Sequence, residues 1–274
     1  MRLRSLLYVP AHAERFIAKA HERGADAIIL DLEDSVPDNS KLAARAGLAE
    51  AVRHVGQAGA VVFVRINSCD LQFEDAAAAC RAGAYGLMVP KLSTLAQLDR
   101  LGAQLAPIRR DPMPLIGLIE DPGAVLDARV LAAHPSVMGL ALGGEDFATA
   151  MGAEATPEVL RLPKLMVHMA AKAAGKLSFG LLRGIADYAD IDAIRLAAAE
   201  AKAFGFDGAT SVHPATVPVL NAGFSPTKAE LDRARRIIAE AERAASAGRG
   251  AFVFEGKMVD APVIARARII LAKA

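Results

Sequence analysis

The sequence predicts an α/β protein built as a (β/α)8 TIM barrel, followed by a C-terminal helical extension with a lid. Three observations lead there. Short β-rich runs alternate with alanine-rich helical stretches, as parallel strands joined by crossover helices require. Most of the β-rich runs are continuously apolar, which fits strands covered on both faces. Eight of them fall within about 215 residues, enough strands to close a barrel.

The strands are expected at 3–9, 27–33, 61–67, 86–91, 114–120, 137–146, 176–182 and 208–213. Helices between them carry amphipathic charge, as at 14–23 and 191–204, and stop at Gly24 and Gly205. The segments RGADAII, AGAYGLMV and FGFDGATSV each set glycine before a strand, where a helix-to-strand loop needs positive φ. After the eighth strand the chain changes character. Residues 226–247 read as one long charged helix. Then comes GRGAFVFEGKMVDAP, where Gly248, Gly250 and Gly256 surround a β-like AFVF as in a hairpin or lid, and a last helix follows at 263–273. The expected domains are a catalytic barrel over 1–224 and a helix–hairpin–helix over 225–274.

A chain of 274 residues that is 53% hydrophobic offsets the entropy of ordering, which excludes disorder. Its 32 Lys and Arg against 31 Asp and Glu give a net charge of +1, so no strong field draws it to nucleic acid or to an anionic membrane. Cys69 and Cys80 are too few for a disulfide framework and lack zinc-ligand spacing, as in a reducing compartment. No secretory leader and no apolar run of about 18 residues is legible, and a cytoplasmic location is expected.

In a barrel the working groups stand at the carboxyl ends of the strands, and here those ends are acidic. They read LDLEDSV with Asp31, Glu33 and Asp34, VRIN with Arg65 and Asn67, VPK with Lys91, LIED with Glu120 and Asp121, and GGEDF with Glu145 and Asp146. Carboxylates converging on one mouth repel unless a cation sits among them. Magnesium suits the place, since it takes one or two carboxylates and fills its octahedron with water and substrate oxygens. Glu120 and Asp146 end adjacent strands and are the candidate pair; the alternative is that each pairs with a basic residue across the rim. Arg65 either clamps a carboxylate or developing enolate oxygen, or pairs with Asp31 or Glu33. Lys91 reads as a Schiff-base lysine or a salt bridge to the acidic mouth, and His213 as a hydrogen-bonded rim residue rather than a base. Nucleotide motifs are missing: AAGKLS lacks the first glycine and the Ser/Thr of a phosphate loop.

LLYVP followed by ERF, then GADAIILDLEDSVP, VFVRIN, GLMVPK, LIGLIED, GLALGGEDF, SVHP and GKMVDAP, in that order, resemble the citrate lyase β-subunit-like and malyl-CoA lyase branch of the HpcH/HpaI aldolase superfamily. The resemblance runs nearly end to end. It implies a Mg2+-dependent (Mn2+-tolerant) carbon–carbon lyase that cleaves a 3-hydroxyacyl-CoA thioester of the citryl-, malyl- or citramalyl-CoA type into an acyl-CoA and a 2-oxo acid, with CoA entering as part of the substrate. By the same resemblance Glu120 and Asp146 ligate the metal, while Glu33 and Asp34 hold its waters. Arg65 neutralises the oxygen that gains charge, and the backbone at Gly143, Gly144 and Glu145 receives the oxo-acid carboxylate. The C-terminal segment lies as a lid over a neighbouring subunit, bringing Asp260 in trans as an acid/base or water-orienting group within a homotrimer or hexamer. The alternative, read from its own spacing, is that Asp260 before Pro262 simply caps the last helix.

Three departures bear on substrate. VPAHAERF replaces the commoner VPGDRPERF and is one residue shorter, which leaves Arg15 as the CoA contact; IED replaces IET; and LLRGIADYADIDA stands where some members carry an acidic DFxD pattern. The alternatives are an acyl-CoA thioesterase on the same scaffold, a pyruvate-dependent aldolase, and a non-catalytic subunit of a lyase complex.

Overall fold

In the computed structural model, which describes residues 1–182 and 189–273, the chain resolves into two compact units, residues 3–224 and residues 225–274. The larger unit runs β1 (Ser5–Pro10), α1 (Glu14–Ala20), β2 (Ala27–Asp31), α2 (Lys41–Ala46), α3 (Leu48–Gly56), β3 (Val61–Arg65), α4 (Gln72–Arg81), β4 (Gly86–Val89), α5 (Leu95–Leu105), β5 (Leu115–Ile119), α6 (Pro122–Ala132), β6 (Val137–Leu142), α7 (Gly144–Met151), α8 (Pro157–Ala173), β7 (Leu177–Phe179), α9 (Ile191–Phe204), β8 (Ala209–Ser211) and α10 (Val217–Phe224). The strands form one parallel sheet in the order β7-β6-β5-β4-β3-β2-β1-β8. A parallel bridge between Phe179 and Gly208 joins its two ends and closes the barrel.

Closure requires backbones to approach closely where the sequence sets glycine before a strand. A Cβ on Gly208 would lie 2.0 Å from the carbonyl oxygen of Leu3, and one on Gly86 would lie 2.4 Å from that of Pro114. The positive φ expected in these loops is carried by Gly24 (67°), Gly83 (78°) and Gly205 (98°).

Period-two alternation divides the strand residues between two apolar layers. Leu6, Ala27, Ile29, Phe63, Met88, Ile116, Leu118, Ala141 and Phe179 fill the barrel, while Leu7, Ile28, Leu30, Val62, Val64, Leu87, Leu115 and Leu140 pack beneath the helices. Continuing the inward parity by one step past the apolar residues reaches Asp31, Arg65, Glu120 and Gly143. The alternation that builds the core therefore also aims the acidic ends at the mouth.

The strands stop earlier than expected at that mouth, at Asp31 rather than 33, Arg65 rather than 67 and Leu142 rather than 146. Side chains there capture backbone groups that a longer strand would have paired. Asp31 accepts from the N–H of Glu33 (2.9 Å) and of Ser35 (3.1 Å), and Asp75 accepts from the N–H of Asn67 (2.9 Å). The LLRGIADYADIDA departure falls at 181–193, and its centre, 183–188, lies outside the described residues.

The smaller unit consists of α11 (Lys228–Ser246), a hairpin of β9 (Phe252–Phe254) and β10 (Lys257–Val259), and α12 (Ala261–Ala272). Thr227 and Glu230 form a reciprocal capping box, so α11 begins at Lys228 rather than at 226. Glu255 (φ 51°) and Gly256 (φ 74°) make the two-residue hairpin turn. Ala234, Ile237, Phe254, Val259 and Ala267 form the unit's core, and Glu255 accepts from Arg233 (2.9 Å) and Arg236 (2.7 Å) of α11. Among the described residues no helix is long and apolar enough to cross a membrane.

Candidate active site at the barrel mouth

Arg65 organises the mouth. Its Nε and Nη2 donate to the two oxygens of Asp31, each at 2.7 Å, and its Nη1 donates to Asp34 at 3.0 Å. The guanidinium carbon lies 5.0 Å from the centre of the Tyr8 ring, and the Tyr8 hydroxyl donates to the sulfur of Met88. Burial works against the Arg65 charge, but the Asp31 hydrogen bonds outweigh it and hold the group protonated. Burial likewise pushes the Asp31 carboxyl up, and the Arg65 fork with Ser35 and the Glu33 N–H overcomes it and leaves Asp31 below the usual carboxylate range. Of the two roles open to Arg65, the pairing with Asp31 is therefore made, and Nη1 faces Asp34 and Glu33.

Glu33 is ion-paired but not hydrogen-bonded. Its Oε2 lies 3.0 Å from Arg65 Nη1 but is not aligned for a hydrogen bond, and that buried oxygen has no hydrogen-bond partner. Burial pushes the carboxyl up to about 7; Arg65 pulls the other way, and Asp34 and Glu120 add to the rise. Glu120 is also buried. One of its oxygens accepts from the backbone N–H of Lys91 at 2.6 Å, and the other occupies space that a Cβ on Gly143 would fill, 2.4 Å away. Burial raises its pKa, the Lys91 N–H lowers it, and the charge of Asp146 raises it.

Asp146 stands exposed in the first turn of α7. Glu120 and Asp146 thus sense each other, while a buried carboxylate oxygen beside them is unsatisfied. Among the described residues no group of three or more His, Cys, Asp or Glu is set to hold a metal with protein ligands alone. A pair of carboxylates fits a hard divalent ion that takes its other ligands from water and substrate.

Several sequence expectations land differently. Lys91 serves the site first through its backbone, where a φ of 50° turns the N–H onto Glu120; its exposed side chain makes no ion pair among the described residues, but its charge pulls the Glu33 and Glu120 carboxyls down. Gly143 has its N–H committed to the carbonyl of Ile119 at 3.0 Å, so of the three expected amide donors only Gly144 and Glu145 stand in the open first turn of α7. Asp121 caps α6, accepting from the Ala124 N–H at 2.8 Å, and so spends its carboxylate on the helix. Asn67 locks the end of β3 by bonding Leu32 and Asp75. His213 accepts from the Ala215 N–H, a rim contact. Arg15 is exposed on α1 and lies over the Phe16 ring. Asp260 occupies the cap position of α12 without a side-chain cap hydrogen bond.

Sequence reasoning passed over Tyr8, beneath Arg65, and Lys164, on α8. Lys164 is half-buried; burial pushes its ammonium down to about 8 against the pull of Glu145. The signal for it was a lysine inside the apolar stripe formed by Leu160, Pro163, Val167 and Ala171.

The profile of the HpcH/HpaI aldolase/citrate lyase family matches residues 4–214. A (3S)-malyl-CoA thioesterase of Cereibacter sphaeroides is 36% identical over 99% of this chain and 94% of its own length. A citrate lyase subunit beta-like protein of Deinococcus radiodurans is 34% identical over 98% of this chain and 96% of its own. Among solved structures, the protein CitE of Mycobacterium tuberculosis in complex with magnesium, acetoacetate and coenzyme A superposes with a TM-score of 0.79 at 30% identity, covering 98% of this chain and 97% of that one.

Proposed function

Since the chain belongs to the HpcH/HpaI aldolase/citrate lyase family, we propose that it is a Mg2+-dependent lyase that splits a 3-hydroxyacyl-CoA thioester into an acyl-CoA and a 2-oxo acid. The observation that carries this reading is the arrangement of Glu120: a buried carboxylate fixed by the Lys91 N–H, seated on the bare Cα of Gly143 and facing the charge of Asp146. Glu120 and Asp146 would hold the ion, whose chemistry when bound is to polarise the oxygen of the 2-oxo or 3-hydroxyl group. In the cleavage direction the hydroxyl proton leaves, the C2–C3 bond breaks, and its electron pair passes to the thioester as an enolate that takes up a proton at carbon.

Arg65, held rigid by Asp31 and backed by the Tyr8 ring, keeps a fixed positive charge beside the atoms that become negative. Glu33 and Asp34 would hold the ion's waters, a role open to the Glu33 oxygen that has no hydrogen-bond partner. The amides of Gly144 and Glu145 receive the oxo-acid carboxylate, and Arg15 meets the CoA moiety. Asp260, whose carboxylate is not used to cap α12, reaches the mouth of a second copy in a trimer or hexamer and exchanges the proton there.

The test is cleavage of malyl-, citramalyl- and citryl-CoA by the wild type, Glu120→Ala and Asp146→Ala, with and without Mg2+. Each variant is expected to lose at least about 100-fold in kcat/KM with its circular dichroism unchanged. Full activity in either variant overturns the assigned pair. A second reading, thioester hydrolysis on the same site, is favoured by the 36% identity to a malyl-CoA thioesterase. Free CoA as the thiol product supports it, whereas acetyl-CoA or another acyl-CoA supports the lyase.

A further inference from the structure

Lys41 opens α2, and its side chain is drawn in from solvent, 15% exposed. It donates to the backbone carbonyls of Glu33 (3.0 Å) and Leu32 (3.4 Å) and to the side-chain oxygen of Asn67. An ammonium has three N–H donors and no acceptor, so these three oxygens use it up. Its ion-pair partner among the described residues is the fully exposed Asp38 at 3.9 Å, a contact that adds little in water.

The three oxygens belong to two loops. Leu32 and Glu33 follow β2, Asn67 follows β3, and Lys41 reaches both from α2. Arg45, one turn further along the same face of α2, adds a second rung: it donates to Asp75 Oδ1 at 3.2 Å, while Asp75 Oδ2 accepts from the N–H (2.9 Å) and the Nδ2 (2.7 Å) of Asn67. Glu33 and Asp34 ride on the loop that is bracketed in this way, each with an oxygen 3.0 Å from Arg65 Nη1. A buried carboxylate short of hydrogen bonds, as Glu33 is, gains by turning out to water unless the backbone that carries it is held.

Resting on the lyase reading above, we propose that Lys41 is a positioning residue, which by gathering the oxygens of Leu32, Glu33 and Asn67 at one ammonium keeps the Glu33 and Asp34 carboxylates at Arg65, where that reading has them hold the waters of the ion. It touches neither substrate nor ion. Its donors go to neutral oxygens because the task is to tie two loops at one point, which a side chain with a single donor cannot do. Without Lys41 the Leu32 carbonyl keeps its bond from Asn67, but the Glu33 carbonyl retains only the Val36 N–H at 3.1 Å, a bond inside its own loop.

The experiment is calorimetric titration of the intact protein with Mg2+, alongside thioester cleavage and thermal unfolding, for wild type, Lys41→Met, Lys41→Arg and Asp26→Asn. Methionine keeps most of the stem and removes the donors, while a guanidinium spreads its N–H groups over a plane and cannot bring three oxygens to one nitrogen. Asp26 pairs with Arg4 at 2.7 Å just ahead of β2 and β1, at the far end of the barrel, so Asp26→Asn lowers stability without approaching the mouth. Lys41→Met is expected to weaken Mg2+ about tenfold and to lower kcat/KM about 10- to 100-fold, Lys41→Arg to move both the same way, and Asp26→Asn to lower the unfolding temperature with Mg2+ affinity within about twofold of the wild type. Read well below every unfolding transition, Mg2+ affinity does not follow a loss of stability alone. Wild-type Mg2+ affinity in Lys41→Met overturns the proposal, as does an equal fall in Asp26→Asn; if Lys41→Met does not fold, Lys41→Arg decides by the same two outcomes. Failure of the wild type to bind Mg2+ overturns the lyase reading, and this inference with it.

Discussion

Substituting Gly143 by alanine tests the placement of Glu120 without touching a charged group. The Gly143 backbone has φ −83° and ψ 96°, open to any residue, so the substitution carries no conformational penalty of its own. The obstruction is local: the new Cβ would lie 2.4 Å from both Cγ and Oε1 of Glu120. Ordinary carbon contacts begin near 3.4 Å, so the Glu120 side chain has to retreat by about 1 Å. It can do so by rotating about its own bonds, whereas the neighbours of Gly208 are the backbone of Leu3 and Arg4 and cannot. Gly143→Ala should therefore fold with a loss of about 1–3 kcal/mol, the range for mild overpacking. Displacing a reacting or metal-holding group by about 1 Å costs on the order of 100-fold in rate, about 2.7 kcal/mol of transition-state stabilisation. The assay pairs thioester cleavage over a Mg2+ titration with thermal unfolding. A Gly143→Ala protein with wild-type kcat/KM and Mg2+ dependence would refute the reasoning, because Glu120 would then work from a position about 1 Å away.

Stability should also report the buried acids. The Glu33 carboxyl rises from 4.5 to about 7 on folding, so the folded state favours its protonated form. The associated stability is complete below pH 4.5 and lost as pH rises through 7. Across that window in metal-free protein, chemical denaturation should show Glu33→Gln gaining about 3 kcal/mol on the wild type; parallel curves would contradict the assignment. The two roles of Asp260 separate by comparison with Asp121. Asp121→Ala removes a formed cap bond and should cost about 1 kcal/mol, whereas Asp260→Ala should leave the unfolding curve in place and lower kcat. A stability loss at Asp260 with unchanged kcat would make it a cap.

The barrel was legible because its two signals, apolar runs and helical spacers, are local. What the sequence obscured is where each strand hands over to its loop. Residues 143–146 follow directly on an apolar run and read as the end of its strand, yet Gly143 already stands at the cap of α7, and Asp31 ends β2 by taking the amides that would have extended it. Asp31, Arg65 and Glu120 were identifiable as the polar residues that end continuously apolar runs. Lys91 was not separable from them by residue type, because its one hydrogen bond to the site is a backbone N–H presented by a positive φ on a non-glycine residue. Tyr8 and Lys164 lie within stretches that read as core, and only burial and proximity to Arg65 and Glu145 distinguish them.

The electrostatics of the mouth also fix how a cation must bind there. Asp31 takes two edges of the Arg65 fork and falls below its ordinary pKa, which leaves Glu33 and Glu120 sharing what remains, and both are pushed up. Burial of these carboxyls outweighs the pull of Arg65 and Lys91, so near neutral pH part of the compensation, at Glu33, comes from a proton. A divalent ion seated on Glu120 and Asp146 does the same work and competes with that proton. Binding should therefore release protons, and Mg2+ affinity should rise with pH up to and just above the Glu33 value of about 7. Calorimetry at pH 7 in buffers of different ionisation enthalpy measures the number released. Zero release would mean that the acids are already fully ionised at pH 7, and the account of the mouth as a charge deficit awaiting a cation would fail.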